Sequence, residues 1–370
     1  MKLAEHLSRE VSPAQLVPVV PVTRTADTEP ATTGYTGSIT VGPELHPGDV
    51  LDDRFVIVEL ISRGGMALVF KARDLQNQNQ LVAVKAPFPE LERSPSAAGY
   101  FSRFVREEEI GVKLNHPFVL RFVPVARKSR LYLAMEYVTG STLYDLINLF
   151  RVFSEADALA IASLICEALE YLHDNGVVHR DLKPENVMIC DDGTIRVMDF
   201  GLARSAEARR VTLMGSPMGT PHYMAPERVN GKRGDERSDI YSLGAILYEM
   251  LVGTIPFNHE DTFVIMNARV TGDPDAPRKI NPRLSPQAEE IVLHAMQRDP
   301  ALRFQTAAEF KAELDAPEEV ELIGRWKSLS PPTRAKRVLR AMVWVFWWCV
   351  VPTLTQIALF LVLRHHFEKK

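Results

Sequence analysis

The chain has 370 residues, with 43 Lys and Arg against 47 Asp and Glu, for a formal net charge of −4. That balance gives no global basic field for nucleic acid, and 46% apolar residues supply a sizeable core at a length suited to one large two-lobed unit with tails. The three cysteines, Cys166, Cys190 and Cys349, show no CxxC spacing, which excludes a zinc knuckle or disulfide framework and fits a reducing compartment.

Residues 1–48 are rich in Pro and Thr, with short apolar patches such as Val17 to Val22, and read as a flexible arm. Met1 to Gln15 has no apolar core of signal-peptide type. The pattern changes at Asp53. Phe55-Val56-Ile57-Val58 is a β-type run, and Ile61 to Phe70 predicts a Gly-rich turn between two strands. Glycine there lets backbone N–H groups approach phosphate without a Cβ in the way. Leu81-Val82-Ala83-Val84-Lys85 is an alternating strand ending in a lysine. Tyr100 to Leu114 predicts a helix carrying Glu107, Glu108 and Glu109, and Leu131 to Val138 predicts another strand. Glu155 to Asn175 has apolar positions at helical spacing, as does Asp239 to Leu251.

Between those helices lies His179-Arg180-Asp181-Leu182-Lys183-Pro184-Glu185-Asn186, followed by Val187-Met188-Ile189 and then Asp199-Phe200-Gly201. A short strand is expected to deliver this charged loop and a second to carry the chain away. Asp181 can accept a hydroxyl proton, Lys183 can neutralise a moving phosphoryl group, and Asn186 offers an amide oxygen to a hard cation. With the Asp199 carboxylate this makes a reasonable Mg²⁺–phosphate clamp.

The eight-residue loop followed by Asp-Phe-Gly resembles the catalytic loop and metal motif of eukaryotic-type (Hanks-type) serine/threonine protein kinases, in a bacterial-like, membrane-anchored form. The resemblance covers about residues 52–316 and implies an α+β, bilobal fold with a small β-rich lobe and a larger helical one. It implies ATP as phosphoryl donor, Mg²⁺ (or Mn²⁺ in its place), and protein substrates with Ser or Thr acceptors. Asp181, Lys183 and Thr220, in Gly219-Thr220-Pro221, become the catalytic set, and Asn186 and Asp199 the metal ligands. Lys85 becomes the phosphate anchor, with Glu107 as its partner by spacing and Glu108 as the fallback. Met135 becomes the residue behind the adenine, with backbone groups of Glu136 and Val138 on its edge and Val69, Ala83 and Met188 on its faces. In the Gly-rich loop only Gly64 matches the family's three glycines, since Ser62 and Ala67 hold the other positions. Ala225-Pro226-Glu227, Asp239 and Arg303 match the family's large-lobe tether and brace. The Lys at position 183 marks the serine/threonine class. Arg180, beside the catalytic Asp, suggests regulation by a phosphate on Thr212 or Ser216, and a transient homodimer could serve that autophosphorylation.

Beyond a polar, basic linker at 317–340, Ala341 to Leu363 runs about 23 residues without a charge, beyond the ~20 needed to span a bilayer. Trp344, Trp347 and Trp348 sit where an aromatic belt would lie. The expectation is one C-terminal transmembrane helix, a short tail at 364–370, and a kinase domain in the cytoplasm. Two rival readings are a membrane-tethered pseudokinase scaffold and a small-molecule kinase. The altered Gly-rich loop favours the first; the second lacks the Ala-Pro-Glu segment.

Overall fold

The computed structural model describes residues 34–35, 41–64, 67–93, 97–200 and 222–329. Ser216, Thr212, Thr220, Gly201 and the apolar run 341–363 lie outside them. Among the described residues no helix is long and apolar enough to cross a membrane.

In chain order the elements are β1 (Gly34–Tyr35), β2 (Val50–Leu51), β3 (Phe55–Arg63), β4 (Ala67–Asp74), β5 (Gln80–Pro87), α1 (Ala97–Gly111), β6 (Arg127–Lys128), β7 (Leu133–Glu136) and β8 (Gly140–Thr142). There follow α2 (Leu143–Phe150), α3 (Glu155–Asp174), β9 (Val187–Cys190), β10 (Ile195–Val197), α4 (Pro226–Val229), α5 (Glu236–Val252), α6 (Thr262–Thr271), α7 (Pro277–Ile280), α8 (Pro286–Ala295) and α9 (Ala307–Asp315).

The small lobe is an antiparallel sheet in the order β2-β3-β4-β5-β7. Its strands alternate: Phe55 and Ile57 are buried while Val56 and Val58 are half-buried, as period-two side chains on a sheet with one core face require. Leu45, Phe55, Leu68, Phe70, Val84 and Tyr132 form one cluster on that face. Packing begins before the composition changes, because Val41 and Leu45 are already buried and Gly48 N–H donates to the Ile57 carbonyl at 2.9 Å.

The large lobe is built on α5, which is buried on nearly every side. Asp235 caps its N-terminus by accepting from the Arg237 N–H, and Gly253 ends it at φ +79°, a conformation that suits a residue without Cβ. The start lies three residues before the predicted Asp239, so Asp239 falls in the first helical turn, where its negative charge suits the helix dipole. The small sheet β8-β9-β10 packs against α2 and α3. A continuous core runs from Ala83 and Phe104 in the small lobe through Phe200 to α5 and α9.

One expected element is missing. Val177 and Val178 are buried, yet no strand delivers the loop at 179–186. The reason lies in where the backbone donors go. His179 and Arg180 give their N–H groups to the Asp239 carboxylate, both at 2.8 Å, rather than to a neighbouring strand. The outgoing strand is present as β9, paired antiparallel with β10.

Candidate functional site

The loop at 179–186 is held from below. Asp239, fully buried on α5, accepts from two successive loop N–H groups and lies 2.9 Å from the His173 Nε2 at the end of α3. Arg228 donates to the Arg180 carbonyl. These bonds hold Arg180 at φ +61°, a left-handed conformation that a non-glycine residue rarely takes. The His179 ring lies 3.0 Å from the Met198 carbonyl and meets the Phe200 ring edge-on, tying the loop to the segment that carries Asp199.

Within that frame Asp181 and Lys183 approach to 3.5 Å. Asn186 is 5% exposed, and its Nδ2 donates to the Asp181 carbonyl at 2.8 Å. With the nitrogen fixed inward, Oδ1 is the end left for a cation. Val187 pairs with Val197, and the Met198 N–H donates to the Asn186 carbonyl at 2.8 Å, so Asn186 and Asp199 come to one edge of the β9–β10 ribbon. Asp199 itself sits at φ +53°, and its side chain is 51% exposed.

The small lobe supplies the cation. The Lys85 Nζ lies 3.2 Å from Glu107 and 2.5 Å from Asp199. Burial alone would lower the Lys85 pKa, but the Asp199 and Glu107 charges raise it above its ordinary value. The Lys85 charge holds the Asp199 carboxyl below the ordinary carboxylate range, against burial. Burial pushes Glu107 up, against the pull of Lys85. Two carboxylates around one ammonium leave negative charge at an exposed carboxylate, a donor set that fits a hard divalent cation.

Register gathers the remaining predicted residues. Val69 pairs with Lys85 and Ala83 with Met135, so these four share one face of the sheet. Ala83 and Met135 are buried, while Val69 and Val138 pack half-buried against the same core. Val187 and Ile189 point into the core, and Met188 between them is half-buried on the other face of β9. Glu136 has already given its N–H to the Arg121 carbonyl, so only its carbonyl can serve a ligand edge. Ser62 pairs with Val69 in the β3–β4 ladder, and the Gly64 N–H donates to the Ala67 carbonyl at 2.9 Å. Neither Ser62 nor Ala67 has a positive φ, so neither of these two positions needs glycine.

Glu108, the fallback for Lys85, turns away. It pairs with Lys128, which also donates to the Tyr132 carbonyl at 2.6 Å, and the two side chains are sealed from solvent. The tether matched to Glu227 is present. Arg303 grips that carboxylate through two nitrogens at 2.9 and 2.7 Å, with its guanidinium 4.9 Å from the Tyr241 ring. The regulatory candidate Arg180 has a buried Nε without a hydrogen bond among the described residues. Burial, and then the Arg233 and Arg106 charges, lower its pKa, while Asp239 raises it.

Several contributing residues were not anticipated. His173 braces Asp239, Arg228 fixes the Arg180 carbonyl, and Arg196 pairs with the Glu136 side chain at 3.2 Å. Only His173 left a signal, as a basic residue in the last turn of a helix ending just before the loop.

Comparison with known proteins agrees with this geometry. A family profile described as "Protein kinase domain" matches residues 55–313. The serine/threonine-protein kinase PknB of Mycobacterium leprae is 37% identical over 270 residues, covering 71% of this chain and 43% of that protein. A probable serine/threonine-protein kinase of Clostridium perfringens is 33% identical, covering 72% and 39%. The chain therefore spans less than half the length of these relatives. Among solved structures, the Mycobacterium tuberculosis PknI kinase domain superposes with a TM-score of 0.59 at 24% identity, covering 74% of this chain and 100% of that one. Rad53 1–466 in complex with AMP-PNP gives 0.56 at 29% identity, covering 70% and 64%. With its bilobal fold, its Lys85–Glu107–Asp199 cluster and a profile match across both lobes, the chain belongs to the protein kinase family.

Proposed function

We propose that this chain is a serine/threonine protein kinase that transfers the γ-phosphoryl group of ATP to protein hydroxyls, tethered to a membrane by Ala341–Leu363. The observation that carries the catalytic reading is the Lys85 ammonium bridging Glu107 and Asp199, at the mouth of a braced Asp181 loop.

The residues divide the chemistry. Asp181 orients the acceptor hydroxyl and takes its proton. Lys85, fixed by Glu107, binds the phosphates that are not transferred, and Lys183 stabilises negative charge on the group in flight. Asn186 Oδ1 and the Asp199 carboxylate would hold Mg²⁺, which when bound neutralises phosphate charge. Buried Asp239 keeps Asp181 in place, so little reorganisation is needed at the moment of transfer. Thr220 is assigned to organising Asp181 and Lys183. Thr212 or Ser216, once phosphorylated, would satisfy the Arg180 charge and order the segment that carries them.

The membrane reading is carried by the uncharged run and its tryptophans. Flanking charge orients it only slightly: Arg334, Lys336, Arg337 and Arg340 precede the run, and Arg364, Lys369 and Lys370 follow. ATP and Mg²⁺ place the catalytic domain in the cytoplasm.

The test is Mg²⁺-dependent transfer from γ-labelled ATP to a generic protein acceptor, followed by phosphoamino-acid analysis. Phosphoserine and phosphothreonine are expected, and nucleotide binding without transfer would instead make the chain a scaffold. For the tether, the full chain is expected in membranes after alkaline carbonate, and release would contradict a single span.

A further inference from the structure

Past α9 the chain turns back along the large lobe. Short 3-10 turns at Pro317–Glu319 and Arg325–Ser328 carry it over α8. Glu290, on α8 and 2% exposed, holds this return. Its carboxylate accepts from the Gly324 N–H, from the Arg325 N–H at 3.0 Å and from the Arg325 guanidinium at 3.2 Å. Gly324 takes φ +75° to make the turn.

A buried carboxylate is an expensive way to fix a surface loop unless its donors are well placed, and here they are. The segment exposes Glu318, Glu319 and Glu321 and, directly after them, an apolar set. Leu322 is 51% exposed, Ile323 59% and Trp326 49%. Backbone bonds to Glu290 keep these side chains from folding inward. The Lys327 ammonium lies 5.7 Å from the Trp326 ring centroid. An indole beside a cation, with aliphatic neighbours, suits the boundary between headgroups and acyl chains.

The sequence that follows says what covers the patch. From Arg325 to Arg340 there are six Lys and Arg and no Asp or Glu. Fourteen residues lie between Trp326 and the uncharged run at Ala341. That length reaches about 21 Å as a helix or about 46 Å extended. A second copy of the chain is a poorer occupant, since three side chains fall well short of the ~1,000 Å² that a specific protein interface buries.

We infer that Leu322, Ile323 and Trp326, with Lys327 beside the indole, form a lipid-docking surface that seats the catalytic unit on a bilayer face, the basic sequence that follows favouring an anionic one. The inference rests on the tethering proposed above. Docking would fix how the cleft faces the membrane and hence which acceptors reach Asp181.

The test uses the full chain with W344F, W347F and W348F, which leaves Trp326 as the sole tryptophan. It is reconstituted in phosphatidylcholine vesicles with and without phosphatidylserine, using acyl-brominated lipid as quencher. Retained phosphoryl transfer shows that the variant folds. Trp326 should emit at shorter wavelength and be quenched in the anionic vesicles. The docked-to-free ratio should fall about fivefold for each cation neutralised or screened. L322E with I323E should abolish the quenching and leave carbonate resistance unchanged.

An unquenched, water-exposed Trp326 in a carbonate-resistant chain overturns the docking and leaves the tether standing. Shielding of Trp326 that rises with protein density, without quenching by brominated lipid, assigns the patch to a second copy and also overturns it. Quenching that persists in a carbonate-extractable chain supports the docking and removes the span. Neither quenching nor carbonate resistance removes both.

Discussion

Glu107 and Glu108 are adjacent on α1 and turn to opposite sides of it, each towards a lysine. Consecutive helical positions lie about 100° apart, so one carboxylate enters the cleft and the other goes into the body of the small lobe. The Lys85–Glu107 pair is open at one end, where Asp199 adds a second, half-exposed carboxylate. The Lys128–Glu108 pair is closed, with side chains 0% and 2% exposed and Lys128 also bonded to the Tyr132 carbonyl. Burial lowers the Lys128 pKa despite Glu108, whereas the two carboxylates raise that of Lys85. The same pair of residue types therefore makes a charge-unbalanced site that can bind and a balanced one that can only hold structure.

The comparison breaks if the two lysines respond alike to substitution. Lys85→Met should lower turnover by on the order of 10³-fold, about 4 kcal/mol of transition-state stabilisation. Its cost in stability should be small, because Glu107, already pushed up by burial, can take a proton once the ammonium is gone. Activity and thermal melting measured on the same preparation check this.

Lys128→Met should behave in the opposite way. It leaves a sealed carboxylate facing a methionine, which should cost about 3 kcal/mol of unfolding free energy in urea titrations, while turnover per folded molecule stays near wild type. Lys128→Met combined with Glu108→Leu should recover most of that loss, since removing both charges removes the desolvation cost as well. A large turnover defect in the double variant would mean that the closed pair also shapes the cleft.

A third, half-buried titratable pair sharpens the contrast. His294 Nδ1 and Glu313 Oε1 are 3.7 Å apart, and the His294 Nδ1 has no hydrogen bond among the described residues. Burial, helped by the Arg325 charge, lowers the His294 pKa to about 4. The unfolded chain then binds the extra proton between the ordinary value of 6.5 and about 4. Stability should be complete above that window and fall as pH drops through it, by about 3 kcal/mol before solvent screening of the half-buried ring reduces it. His294→Phe, which keeps an aromatic ring against Phe304, should flatten the slope in pH-dependent denaturation.

Some of this arrangement was readable from the sequence. Asp181, Lys183 and Asn186 are local, and the chemistry needs them within one loop. The Lys85 strand shows in its alternation and the register of β5 did the rest, whereas the Glu227–Arg303 tether was legible only through the family resemblance. The partner of Glu108 was hidden, because Lys128 lies on a two-residue strand with no periodicity to mark it. The strand expected before the loop is absent because Asp239, sixty residues away in sequence, takes its backbone donors. No local pattern reports a substitution of side chain for ladder. Val41 and Leu45 were assigned to the arm because a Pro- and Thr-rich composition masks two isolated core positions.

The central claim is that Asp181, braced by Asp239, is the base of a phosphoryl transfer carried out beside the open Lys85 pair. Turnover of Asp181→Asn with Mg²⁺-ATP and a protein acceptor tests it most directly, with ATP affinity and melting temperature measured on the same sample. Affinity and melting temperature should match wild type while turnover falls by ~10² or more. Turnover above about a tenth of wild type in the folded, ATP-binding variant would contradict the account.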